Sequence, residues 1–181
     1  MTTTAHLWAV AYDDVGRADQ VREEICSLAW GPGEAGRYLS LLDVAVVVRH
    51  PDGSFTLNRE PFPRVVNVLG CTTVGFLAGL VMAAPLTGAA VGALVGGVGS
   101  AASAASAGIS ADFIREVEGL MKPGTSALFV LDREGDMPAI LQGIRGLGGT
   151  VLKTNVDLQR AQLIQSTLAA AGETAQAEDR P

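Results

Sequence analysis

The chain has 181 residues, 19 acidic and 13 basic, for a net charge of −6, and 48% of its residues are hydrophobic while only 18% are charged. That length suits one domain, or a small domain interrupted by an insertion, and would crowd two full domains. The acidic balance and the lack of any basic run argue against a nucleic-acid partner, because phosphate binding requires clustered Lys and Arg.

Taken in order, His6 to Tyr12 (HLWAVAY) predicts a buried strand that runs into the acidic turn Asp13-Asp14. Ala18, Val21, Ile25 and Leu28 then recur at helical spacing, with Asp14 as the expected N-cap and Gly31-Pro32-Gly33 as the stop. Leu41 to Arg49 (LLDVAVVVR) is a nearly continuous β-branched run. Pro51-Asp52-Gly53 supplies turn chemistry after it, and Ser54 to Asn58 alternates around Phe55 and Leu57, so a β-hairpin is predicted.

From Val65 to Ala111 there is no Asp, Glu, Lys or Arg over 47 residues. Pro85 divides this stretch into two arms, each near the roughly 20 apolar residues that a helix needs to cross a bilayer. Gly75 and Gly79 in the first arm, and Gly88, Gly92 and Gly96 in the second, repeat every four residues and share a helix face. Such a ridge lets helix backbones approach closely, so these five glycines are the candidate helix-association residues. The first arm holds ten large apolar residues; the second holds six, diluted by Gly, Ala and Ser, and would depend on the first for insertion.

Beyond the stretch, Ser110 is placed to cap a helix carrying Phe113, Ile114, Val117 and Leu120, which Pro123-Gly124 ends. Ser126 to Asp132 predicts a buried strand, Asp136 opens a helix stopped at Gly148-Gly149, and Thr150 to Thr154 predicts another strand. Asp157 caps a last helix, and the chain from Gly172 is polar and expected to be disordered.

Strand, acidic turn, helix, glycine-bearing loop and strand thus occur twice. Two βαβ units on one sheet, with helices on one face, predict an α+β fold of the ferredoxin-like kind. The domain reading is 1–60 for the first half, 61–111 for the apolar hairpin, 112–171 for the second half and 172–181 for the tail.

The candidate chemistry is sparse. Cys26 and Cys71 have neither metal spacing nor a disulfide framework, which fits a reducing compartment, and no secretory signal peptide is expected. Gly92 to Gly97 lacks the Lys-Ser/Thr pair of a Walker loop and the context of a dinucleotide fingerprint. Pro123-Gly124-Thr125-Ser126 reads as a helix-to-strand turn before it reads as an anion cradle. His6 and His50 have no ligand partner in sequence, and Asp13, Asp14, Asp132, Glu134 and Asp136 read as turn and cap residues. Trp8 reads as core and Trp30 is left open. No catalytic residue, metal or cofactor is assigned, and no small-molecule ligand is identified.

Asp112-Phe113-Ile114, the run Lys122 to Val130 (KPGTSALFV) and Gly148 to Thr154 (GGTVLKT) resemble the bacterial domain of unknown function 1269. Leu42 to Arg49 and Asp52-Gly53 are similar to its upstream strand and turn, so that the resemblance extends over nearly the whole chain. The chain departs from it at Gly31 to Gly36 and in the tail. Members of that family are described as uncharacterised membrane proteins, so the resemblance implies a membrane-associated, non-catalytic protein and carries over no active-site residue.

The first functional expectation is therefore a self-associating membrane protein with scaffolding or stress-related work. Arg59, Arg64, Arg115 and Lys122 flank the stretch and place its α+β domain in the cytoplasm by the positive-inside rule. A second expectation is a soluble homo-oligomer whose hairpins form a shared core or shell. A third is a small-ligand sensor or enzyme on the sheet face.

Overall fold

The computed structural model describes residues 4–30, 41–58, 78–79, 81, 104–132, 146–157 and 159. They form five strands and two long helices: β1 (Thr4–Tyr12), α1 (Arg17–Trp30), β2 (Leu41–Arg49), β3 (Phe55–Asn58), α2 (Ala111–Leu120), β4 (Thr125–Asp132) and β5 (Thr150–Asp157). The strands make one sheet in the order β3-β2-β4-β1-β5, and every neighbouring pair is antiparallel. It follows that β1 and β2 run parallel with β4 between them, and that β4 and β5 run parallel with β1 between them. The chain is α+β.

Alternation along the strands sorts the core into two layers. On one face Val10 and Tyr12 of β1, Val44, Val46 and Val48 of β2, and Leu128 and Val130 of β4 meet Ala18, Val21 and Ile25 of α1. On the other, Leu7, Ala9, Ala45, Val47, Ala127, Phe129 and Leu131 meet Phe113 and Val117 of α2. Because β2 and β4 are central and covered on both sides, they read as unbroken apolar runs. The two expected βαβ units contribute α1 and the helix from Asp136, which lies outside the described residues; α2 belongs to neither unit and covers the face opposite α1. The sequence shows only that α2 has an apolar side, and its choice of face follows from where Pro123-Gly124 turns the chain into β4.

The same second layer holds residues of the uncharged stretch. Ala78, Val81, Ala104 and Ala107 are all buried within it, and so is Ile109. Ala107 accepts a hydrogen bond from the Asp157 amide at 2.9 Å. Gly108, at φ +86°, lies so near β5 that an added Cβ would stand 3.2 Å from the Asp157 nitrogen. The stretch is therefore seated on the sheet at these points. Pro85, and the arms of the expected hairpin apart from residues 78–79, 81 and 104–111, lie outside the described residues, as do the predicted helix from Asp136 and the tail.

The helix ends follow local chemistry. Ser110 caps α2 as expected, its hydroxyl accepting from the Phe113 amide at 3.2 Å. At the other end, Arg49 donates from its guanidinium to the Met121 carbonyl, where a cation suits a helix C-terminus. Asp14 is not the cap of α1: its carboxylate accepts from the Gly16 amide at 2.8 Å, a tight local turn, and the helix starts at Arg17. The Ala18 amide instead donates to the Ser126 hydroxyl of β4 at 3.2 Å, and that hydroxyl donates to the Asp14 carbonyl. At the far end of the chain, Asp157 accepts from the Gln159 amide at 3.1 Å, consistent with the expected cap.

Candidate functional site

The polar groups that the sheet brings together converge on Asp132. It ends β4 on the α1 face, and its side chain is fully buried. Antiparallel pairing puts His6 of β1 directly opposite, and Trp8 is two residues further along the same face. One carboxylate oxygen lies 3.1 Å from His6 Nδ1 and the other accepts from Trp8 Nε1 at 3.1 Å. Both oxygens are therefore partnered, as a buried carboxylate requires. Since a carboxylate only accepts, the neutral His6 ring bonded to it carries its proton on Nδ1 and turns the Nε2 lone pair outward. The imidazole remains 26% exposed. From β5, opposite Trp8, Lys153 places its ammonium 4.8 Å from the indole ring, a cation–π contact worth about 0.5–1 kcal/mol at an exposed position.

This arrangement orients an imidazole and holds an indole in place. Among the described residues, no group of three His, Cys, Asp or Glu side chains is placed to hold a metal ion. A carboxylate and an imidazole alone do not make a catalytic set, which also needs a nucleophile or a bound substrate within reach. Asp132 is thus neither a turn nor a cap residue. A signal was present in the sequence: Asp132 has the parity of Leu128 and Val130 in an alternating strand, which sends its carboxylate inward.

The other sequence candidates fall as follows. Of the five glycines, Gly79 is described and a Cβ there would meet nothing within 4 Å, whereas Ala78 and Val81 beside it are buried. Gly75, Gly88, Gly92 and Gly96 lie outside the described residues. His50 sits at the predicted hairpin tip and its Nε2 is 2.7 Å from the Thr56 hydroxyl. Asp52 accepts from the Ser54 amide and hydroxyl at 2.9 and 2.6 Å, and these bonds hold its carboxyl below the ordinary carboxylate range. In the Pro123 to Ser126 turn, the Gly124 amide donates to the Arg49 carbonyl and the Thr125 amide to the Lys122 carbonyl, so both are occupied as a turn requires. The side chains of Cys26, Cys71 and Trp30 lie outside the described ones, while Trp8 is a half-buried strand residue against the α1-side core.

Among the described residues, no helix is long and apolar enough to cross a membrane. No curated protein and no solved structure matches the chain. The sequence profile described as Protein of unknown function (DUF1269) matches residues 68–169, more than half of the chain. The match is shorter than the resemblance drawn from the motifs, since β1, α1, β2 and β3 precede it, but it includes most of the uncharged stretch together with α2, β4 and β5. The chain belongs to the DUF1269 family.

Proposed function

We propose that this protein is a non-catalytic, self-associating protein in which the α+β sheet is a platform and the glycine-spaced stretch is the surface that meets other copies. One observation carries this reading: Ala78 and Val81 are seated in the core while a Cβ on Gly79, between them, would meet none of the described residues within 4 Å. A helical segment that buries one side against its own sheet and leaves a glycine open on another has a smooth, close-packing side for a partner. The platform itself is the ferredoxin-like plait widened by one strand. In support, β5-β1-β4-β2 has the order and directions of two interleaved βαβ units, and β3 extends the β2 edge.

Gly79→Leu tests the association. Leucine is a better helix former than glycine by roughly 0.5–1 kcal/mol, and a Cβ at this position meets none of the described residues within 4 Å, so the fold should hold or gain stability. Association should nonetheless weaken roughly tenfold or more, because the branched side chain prevents close approach. Sedimentation over a dilution series, without detergent, gives the mass of each form. An unchanged mass in the variant would sink the proposal.

The uncharged run from Val65 to Ala111 supports a second reading, in which the self-associating stretch works at a bilayer with the α+β domain in the cytoplasm. Washing membrane pellets with alkaline carbonate tests it: retention, followed by release in detergent, is the expected result, and full release by carbonate would exclude insertion.

A further inference from the structure

Asp132 is the only Asp, Glu, Lys or Arg buried in the core among the described residues, and neither self-association nor a bilayer has a use for it. Taking a carboxylate out of water is costly unless its partners offset the loss. Here one of those partners is aimed outward. With the Nδ1 proton given to Asp132, the partly exposed His6 ring presents the lone pair of Nε2, and among the described residues no group bonds to that nitrogen.

An imidazole held in this way can ligate a metal, act as a base or accept a group at Nε2. A metal needs further ligands, and none are assembled with it among the described residues. A base needs a nucleophile to deprotonate, whereas an acceptor needs only the imidazole, since histidine itself forms covalent intermediates. The surroundings select the group. Antiparallel pairing puts Asn155 of β5 directly opposite His6 and Lys153 opposite Trp8, both exposed and on the same side of the sheet. His6 and Trp8 stand about 7 Å apart along β1, a distance that the flexible stem of Lys153 covers. An ammonium and a carboxamide beside Nε2 favour an electrophile with anionic oxygens. The Asp132 carboxylate lies on the Nδ1 side of the ring, away from the incoming charge.

We infer that His6 accepts a phosphoryl group at Nε2 from an acyl phosphate, with Asp132 as the positioning residue. The Nε2 lone pair attacks phosphorus, and the bond from phosphorus to the acyl oxygen breaks, its electron pair leaving with the carboxylate product. The ring becomes positive. Asp132 balances that charge across the Nδ1 proton, and Lys153 offsets the charge of the phosphoryl oxygens. The step needs neither a second copy nor lipid.

The test treats the full chain with acetyl phosphate and follows the product by phosphorus NMR and by peptide mass spectrometry in alkali, where a phosphoryl group on nitrogen survives. His50, the other histidine, is the internal control, because its Nε2 lies 2.7 Å from the Thr56 hydroxyl. His6 should be labelled at Nε2 roughly tenfold faster than His50. Asp132→Asn removes the charge that fixes the tautomer, so labelling of His6 should slow roughly tenfold and divide between the two ring nitrogens. A carboxylate that served only the fold would leave the choice of nitrogen unchanged. Amide exchange in β4 reports whether the sheet of this variant is intact. If it is not, Lys153→Met at an exposed position takes its place, and labelling should slow severalfold. Equal rates at His6 and His50 would overturn the inference. So would a folded Asp132→Asn, or its replacement Lys153→Met, that labels Nε2 at the wild-type rate.

Discussion

At the scale of single residues, Tyr12 is the clearest internal cost. Its ring is buried on the α1 side, and its hydroxyl has no hydrogen-bond partner among the described residues. Gly149 is pressed against that ring: a Cβ there would stand 2.7 Å from Tyr12 Cε1, so at φ +104° only glycine fits. Burial pushes the phenol pKa from 10.0 up to about 12, with Arg17 drawing it partly back. Between those values the unfolded chain loses its phenolic proton while the folded chain keeps it, so stability falls as pH rises from about 10 to about 12 and is unaffected by this group below that window. Tyr12→Phe keeps the ring and removes the orphan hydroxyl. It should stabilise the protein by about 1 kcal/mol at neutral pH and flatten the alkaline loss. Urea unfolding at pH 7 and across the alkaline window checks both; a variant less stable than wild type would mean that the hydroxyl has a partner.

At the scale of elements, strands and helices were largely legible because period and punctuation agree. The β-branched run of β2 gave its range without error, and Pro51-Asp52-Gly53 closes the hairpin, with the His50 amide bonded to the Ser54 carbonyl at 2.8 Å and Gly53 at φ +84°. Less legible was anything that depends on two elements meeting. The start of α1 shows this: Asp14 had the right chemistry for a cap, but its carboxylate finds the Gly16 amide, and the helix is capped by a serine 108 positions away. Asp132 was missed for the same reason, since its partners His6 and Trp8 come from the opposite end of the chain. Ser126→Ala removes the hydroxyl that serves the Ala18 amide and the Asp14 carbonyl together. It should cost about 1–2 kcal/mol, more than an exposed cap, because both groups lose their partner beneath α1. Thermal unfolding gives the loss, and amide exchange should show Ala18 deprotected ahead of the centre of β4. An unchanged melting temperature would mean that the turn at Asp14 starts the helix alone.

At the scale of the molecule, the question is how the uncharged stretch relates to the sheet. Composition marked the stretch off by its lack of charge, and this suggested a separate body above a small domain. Composition could not show that Ala78, Val81, Ala104, Ala107 and Ile109 join a sheet face, because alanine suits a lipid-facing helix, a helix pair and a close helix-on-sheet contact equally well. The seat makes the two ends of the intervening 22 residues neighbours within one cluster. Loop-closure entropy grows only slowly with length, so exchanging residues 82–103 for a short glycine-serine linker should change stability by no more than about 1 kcal/mol. Self-association should weaken, since Gly88, Gly92 and Gly96 are gone while Gly79 stays, and vesicle binding should vanish with most of the apolar length. Calorimetry, sedimentation and flotation on the same preparation separate these effects. A linker form that melts with the wild type but stays monomeric and unbound would assign folding to the sheet with its seated residues, and association to the part removed. If the sheet unfolds instead, the removed residues belong to its core, and the stretch is a layer of the fold throughout its length.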